Sequence, residues 1–149
     1  MTLNYHGDES YANVFLSAPS AVVTEATSGS TTSTGAGAVT VYDNEISTVQ
    51  AKDLIVVGGS CVNTVAAKLL GSTTPICGAD FTTKVGVADG QFVIKVFDNP
   101  YTAGKVAMLV AGYNAADTSK AATYLTMNAV DSTVGTVVKK TSSSYADVA

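Results

Sequence analysis

The sequence predicts an α/β (α+β) fold: a mixed β-sheet with two flanking helices in a Rossmann-like half, preceded by a β-rich N-terminal part. The apolar strand pattern of residues 53–57 runs into a glycine turn and an Ala/Leu-rich helix, and a similar order begins at residue 105. An apolar content of 46% over 149 residues suffices for one core. We therefore predict one domain with parts 1–50, 51–127 and 128–149.

The N-terminal part contains two predicted strands. Residues 11–17 are strand-like, and residues 38–42 alternate between apolar and polar like a half-buried strand that could pair with them. A turn is expected at residues 43–45. Residues 27–34 hold seven hydroxyl residues in eight positions, which predicts a surface loop.

That hydroxyl-rich run is a candidate O-glycan acceptor if the protein is exported, and a plain flexible loop is the alternative. The candidate acceptor residues are Thr27, Ser28, Ser30, Thr31, Thr32, Ser33 and Thr34.

The strand at residues 53–57 is apolar at consecutive positions, which predicts burial on both faces. The helix that follows is expected over residues 61–70, with Gly71 at its end. Its apolar face at helical spacing consists of Val62, Val65, Ala66 and Leu69.

The next segments predict a strand hairpin. Residues 78–90 carry no regular pattern and are expected to be irregular. Residues 91–97 and 105–111 both have strand patterns. The turn at residues 98–104 is too short for a crossover, so these two strands should be antiparallel.

A second strand–glycine–helix unit completes the core. Asn114 is a suitable N-cap for a helix over residues 115–126. Because this unit repeats the order of the first one, we expect the two strands to lie side by side in a short parallel core. A last strand is expected at residues 135–140.

The charge content excludes one class of function. Charged residues make up only 13% of the chain, the net charge is -4, and the eight basic residues are all lysines. Nucleic-acid binding depends on clustered Lys and Arg, and Arg is the principal base-reading residue. The composition therefore excludes nucleic-acid binding.

No apolar run approaches the roughly 18 residues of a membrane span. No signal peptide is visible, so the chain either stays inside the cell or is the mature part of an exported precursor.

The two cysteines of the chain could belong to a metal site or form a disulfide. A zinc site needs four ligands, and the lone His6 cannot complete a set with Cys61 and Cys77. We therefore predict a disulfide between Cys61 and Cys77, which would close a loop of about 17 residues and contribute on the order of 3 kcal/mol. Two buried free thiols in a cytosolic protein remain the alternative.

The first glycine turn lies where a nucleophile or a phosphate-binding loop could lie. The serine-hydrolase pattern needs a glycine where Val62 stands, and His6 is the only histidine available to Ser60. The dinucleotide fingerprint and the Walker lysine are absent as well. Close packing of strand on helix is the simpler interpretation, and we predict no catalytic, cofactor-binding or metal-binding residues.

Four segments together resemble the C-terminal region of archaeal S-layer and S-layer-like proteins. They are residues 53–63 (DLIVVGGSCVN), 77–78 (CG), 86–92 and 105–125 (KVAMLVAGYNAADTSKAATYL). The resemblance covers roughly residues 7–145 and includes both glycine turns in the same order.

The resemblance implies a non-enzymatic, extracellular structural subunit at an archaeal cell surface that assembles with copies of itself and is often glycosylated. Strand edges at residues 11–17, 38–42 or 135–140 would then receive strands from neighbouring subunits. We predict no membrane insertion.

Two alternatives remain. One is a cell-wall or glycan-binding anchoring module with a pocket near residues 58–60 or 112–114. The other is a small serine hydrolase that uses Ser60.

Overall fold

The structure, a computed structural model, describes residues 39–148, which form one compact unit with helices on both faces of a four-stranded sheet. The elements in chain order are a 3-10 helix (Asp43–Thr48), β1 (Leu54–Val57), α1 (Thr64–Leu69), α2 (Gly78–Val85), β2 (Gln91–Asp98), β3 (Val106–Gly112), α3 (Ala115–Met127) and β4 (Val137–Thr141). The predicted α+β class with a mixed sheet is confirmed.

The strand order in the sheet is β1-β3-β2-β4. β1 and β3 are parallel, with Leu54 opposite Ala107 and Val57 opposite Val110. β2 is antiparallel to both β3 and β4. The predicted hairpin and the side-by-side arrangement of the two strand–glycine–helix units are confirmed. The Rossmann-like description is not confirmed, because only one of the three strand pairs is parallel.

Two hydrophobic clusters cover the two faces of the sheet. One lies under α1 and α2, and Leu109, Val93 and Phe81 are among its buried members. The other lies under α3 and includes the fully buried Phe92 and Ile94. Strands β2 and β3 contribute to both clusters, so they form the centre of the domain.

Strand β1 differs from the prediction of burial on both faces. Leu54 and Val56 are buried, whereas 65% of Ile55 and 50% of Val57 remain exposed. β1 is an edge strand, and α3 packs on β3 and β2. The apolar run therefore extends one face of the sheet beyond the area that α3 covers.

The predicted strand at residues 38–42 is wrong over residues 39–42, which precede the 3-10 helix without forming a strand. The carboxylate of Glu45 accepts a hydrogen bond from the backbone N–H of Tyr42 and so favours the helical turn. The predicted strand at residues 11–17 and the hydroxyl-rich run at residues 27–34 lie outside the described residues. The single-domain division that includes them stays a prediction.

The helices also differ from prediction in two places. α1 begins at Thr64, three residues later than expected, and the exposed Val62 precedes it. The segment predicted to be irregular contains α2, which buries Phe81 and Val85 against the sheet. These two apolar residues are four positions apart, a helical spacing that one pair alone does not make evident.

Candidate functional site

The two glycine turns lie next to each other at the ends of the parallel strands β1 and β3. The backbone N–H of Gly58 donates a hydrogen bond of 3.0 Å to the carbonyl oxygen of Val110. A Cβ atom added to Gly59 would lie 3.7 Å from the carbonyl oxygen of Gly112. The turns therefore contact each other through backbone.

The second turn is filled by the first turn of α3. A Cβ atom on Gly112 would collide with the side chain of Asp117 and with the backbone of Thr118. The N–H of Gly112 donates to the hydroxyl of Thr118 at 2.9 Å, and Asp117 is buried and accepts from the N–H of Gly90 at 3.1 Å. Close packing therefore explains this glycine.

Ser60 is not placed as a nucleophile. Its side chain is 1% exposed, and its hydroxyl donates a 2.7 Å hydrogen bond to the carbonyl oxygen of Ile76. His6, the only histidine of the chain, lies outside the described residues. In the structure Ser60 therefore ties the turn after β1 to the segment before α2.

Cys61 and Cys77 lie beside that hydrogen bond. They form a disulfide, and their Cα atoms are 4.9 Å apart. Cys61 precedes α1 by three residues, and Cys77 is the N-cap of α2. The disulfide therefore joins the starts of the two helices that cover one face of the sheet.

Polar side chains that the sequence did not single out fix the start of α1. Asn63 accepts from the N–H of Ala66 at 3.0 Å, and its amide donates to the carbonyl oxygen of Val57 at 3.2 Å. The carboxylate of Asp43 accepts from both the N–H and the hydroxyl of Thr64 at 2.8 Å. These hydrogen bonds hold the pKa of the Asp43 carboxyl below its usual value.

One edge of the sheet is open among the described residues. β1 pairs there only with β3, and Gly58 directs its N–H to that neighbour. Because backbone groups of successive strand residues point to opposite sides, the N–H groups of Ile55 and Val57 point to the open edge. No charged residue occurs from 54 to 67. The edge is therefore apolar and uncharged.

At the opposite edge, the C-terminal residues cover the second half of β4. The N–H of Thr141 donates to Ala146 at 2.8 Å, and the carbonyl oxygen of Lys139 accepts from Val148 at 3.2 Å. The Lys140 ammonium lies 2.7 Å from the Asp147 carboxylate. The predicted last strand is confirmed with its bounds shifted to Val137–Thr141. The outer groups of Thr141 and the carbonyl oxygen of Lys139 are already bonded, so the strand addition predicted at this edge is blocked over that part of β4.

Within residues 39–148, no three or more His, Cys, Asp or Glu side chains gather as they would around a metal ion. None of the helices described there has the length and apolar character needed to span a bilayer.

The second glycine turn is filled by packing, the first is tied by Ser60 and the disulfide, and neither presents a catalytic arrangement among the described residues. The family model described as "S-layer like family, outer domain" matches residues 3–129. The chain therefore belongs to the S-layer like family, which indicates a structural role in a surface layer and a location at the cell surface. No curated protein and no solved structure matches the chain.

Proposed function

We propose that the protein is a structural subunit of an extracellular, self-assembling archaeal surface structure, either an S-layer or a filament. The observation that carries this proposal is the family match over residues 3–129. The subunit acts through contacts with copies of itself and has no catalytic role.

The surface chemistry of the chain supports self-association. Only 13% of its residues are charged, about half the usual share for a soluble domain. Lys and Glu are depleted at protein interfaces, since they lose side-chain freedom and hydration when buried. A surface poor in these residues offers larger areas for contact between subunits.

The disulfide and the hydroxyl-rich run support an extracellular location. Disulfides persist in oxidising compartments outside the cytosol. We propose O-linked glycans on residues 27–34 of the exported protein and contact with envelope glycans at the cell surface. Mass spectrometry of the protein isolated from its native envelope should show hexose-sized increments on the peptide that contains this run. An unmodified peptide in all molecules contradicts glycosylation and leaves the structural role intact.

Electron microscopy tests the assembly directly. Purified full-length protein at high concentration should form sheets or filaments, and the same repeat should appear on the envelope of the source cell. A two-dimensional lattice identifies a surface layer, whereas a helical repeat identifies a filament. Particles that stay monomeric at every concentration, on an envelope without a lattice or fibre, contradict the proposal.

A further inference from the structure

We propose that the open edge of β1 binds the same edge of a second copy, so that two four-stranded sheets join into one eight-stranded sheet about a twofold axis. The inference rests on the proposed self-assembly and names one of its contact surfaces. The occupant of the edge is Leu54–Val57 of the second copy.

The backbone geometry of β1 suits this antiparallel pairing. Ile55 and Val57 both direct their backbone groups to the open side. If Ile55 lies opposite Val57 of the second copy, each pair exchanges two N–H···O hydrogen bonds, and Val56 lies on the twofold axis. The Val57 carbonyl oxygen already accepts from Asn63 at 3.2 Å, and its second lone pair is available for the new bond.

The side chains make the edge self-complementary. Ile55 and Val57 are 65% and 50% exposed on the same face, so the pairing brings four aliphatic side chains together and removes them from water. The register places Asp53, the charged residue nearest the strand, opposite Gly59 of the second copy. No like charges therefore face each other across the contact. An edge strand without a lysine or proline lacks the usual protection against pairing.

The size of the contact determines its strength. Two aliphatic side chains per subunit bury far less than the ~1,200 Å² typical of a stable interface. The β1 pair is therefore weak by itself and is populated mainly when other contacts of the assembly hold subunits together. This is the behaviour expected of one contact among several in an array.

Site-specific cross-linking in the full-length protein tests the pairing. A photo-activatable phenylalanine analogue replaces Ile55, which is exposed, and isotopically light and heavy protein are mixed and assembled before irradiation. After reduction, trypsin releases β1 within the peptide 53–68, between Lys52 and Lys68. The proposal expects light–heavy cross-links between two copies of this peptide. The matched control carries the analogue at Val137, which is 45% exposed on the opposite edge strand β4, and should give no such link to peptide 53–68.

Variants separate this inference from the proposed function. Ile55→Lys with Val57→Lys should weaken self-association at least tenfold without changing the circular dichroism spectrum, because both residues are exposed. Val137→Lys should leave association unchanged. Assemblies that form normally without a β1–β1 cross-link, or with cross-links only inside one chain, overturn the inference and leave the proposed function standing. Protein that never assembles contradicts the proposed function instead.

Discussion

The units β1–α1 and β3–α3 have the same local order, a strand, a glycine turn, an asparagine N-cap and an alanine-containing helix, but they lie in different positions. β3 is at the centre of the sheet and is buried on both faces. β1 is at the edge, and one of its faces is half exposed. Similar local sequences have therefore produced one central unit and one edge unit.

The two units are also stabilised differently. In the central unit, α3 packs directly on Gly112, and Asn114 and Asp117 cap the helix reciprocally. In the edge unit, Gly59 is less tightly packed, and the disulfide and the carboxylate of Asp43 fix the helix start. A unit with neighbours on both sides is held by packing, whereas the edge unit also has a covalent link.

The largest effect should come from removing that link. The double variant Cys61→Ala/Cys77→Ala should lower the free energy of unfolding by about 3 kcal/mol. Without the disulfide, the unfolded chain is no longer restricted by a closed loop and gains conformational entropy. Urea denaturation measures the change, and reduction of the native protein should reproduce it. Intact mass should also rise by about two hydrogens on reduction. Alkylation of both cysteines without reductant, or an unchanged unfolding midpoint, contradicts the assigned role of the disulfide.

Close packing in the central unit should give the next largest effect. Gly112→Ala places a Cβ atom against Asp117 and should destabilise the domain by about 2 kcal/mol through overpacking. Gly59→Ala is the matched control, since its added Cβ atom would lie 3.7 Å from the carbonyl oxygen of Gly112, an ordinary contact distance. Urea denaturation of the two variants compares the turns. Equal losses would show that the turns are packed alike.

The two N-caps should have smaller and similar effects. Asn63→Ala and Asn114→Ala each remove a side-chain acceptor from a helix start and should cost about 1 kcal/mol. Each Asn→Asp variant keeps the acceptor and serves as the control. Thermal unfolding monitored by circular dichroism ranks the four proteins. If removing a cap leaves the unfolding temperature unchanged, other groups accept the hydrogen bonds from the backbone N–H groups in the first turn of that helix.

The smallest effect concerns pH and belongs to the edge unit. The pKa of Asp43 lies below its usual value because Thr64 donates hydrogen bonds to its carboxylate. Its stabilisation is complete above the unfolded pKa of about 3.9 and is lost as the pH falls through the folded pKa. Asp43→Asn should therefore lose less stability than the native protein on acidification from about pH 5 to pH 2. Parallel pH profiles for the two proteins would contradict this linkage.

The sequence predicted the elements with strong local patterns. The apolar run of β1, the hairpin from Gln91 to Gly112 and the N-cap of α3 all have signals within a few residues. The antiparallel and parallel pairings followed from connection lengths and from the repeated order of the two units. The close-packing interpretation of Gly112 was also correct, because no ligand-binding pattern surrounds it.

The exposure of Ile55 and Val57 could not be predicted, because it depends on strand order and on which strands α3 covers. The same limit applies to Asn99, which is buried and donates to the carbonyl oxygens of Gln50 and Lys52 at 3.0 and 2.8 Å. These partners lie 49 and 47 residues away in sequence. Local patterns do not contain such long-range contacts.

The C-terminal residues that cover β4 limit how many partners the sheet can accept. A sheet with two open edges can add neighbours at both ends and extend without limit, as in a fibril. Ala146 and Val148 occupy outer groups of Thr141 and Lys139, so an incoming strand cannot pair along the full length of β4. Among the described residues, β1 is the edge without such a cover, and one β1–β1 pair closes it. Growth by strand pairing at this edge therefore stops at two subunits.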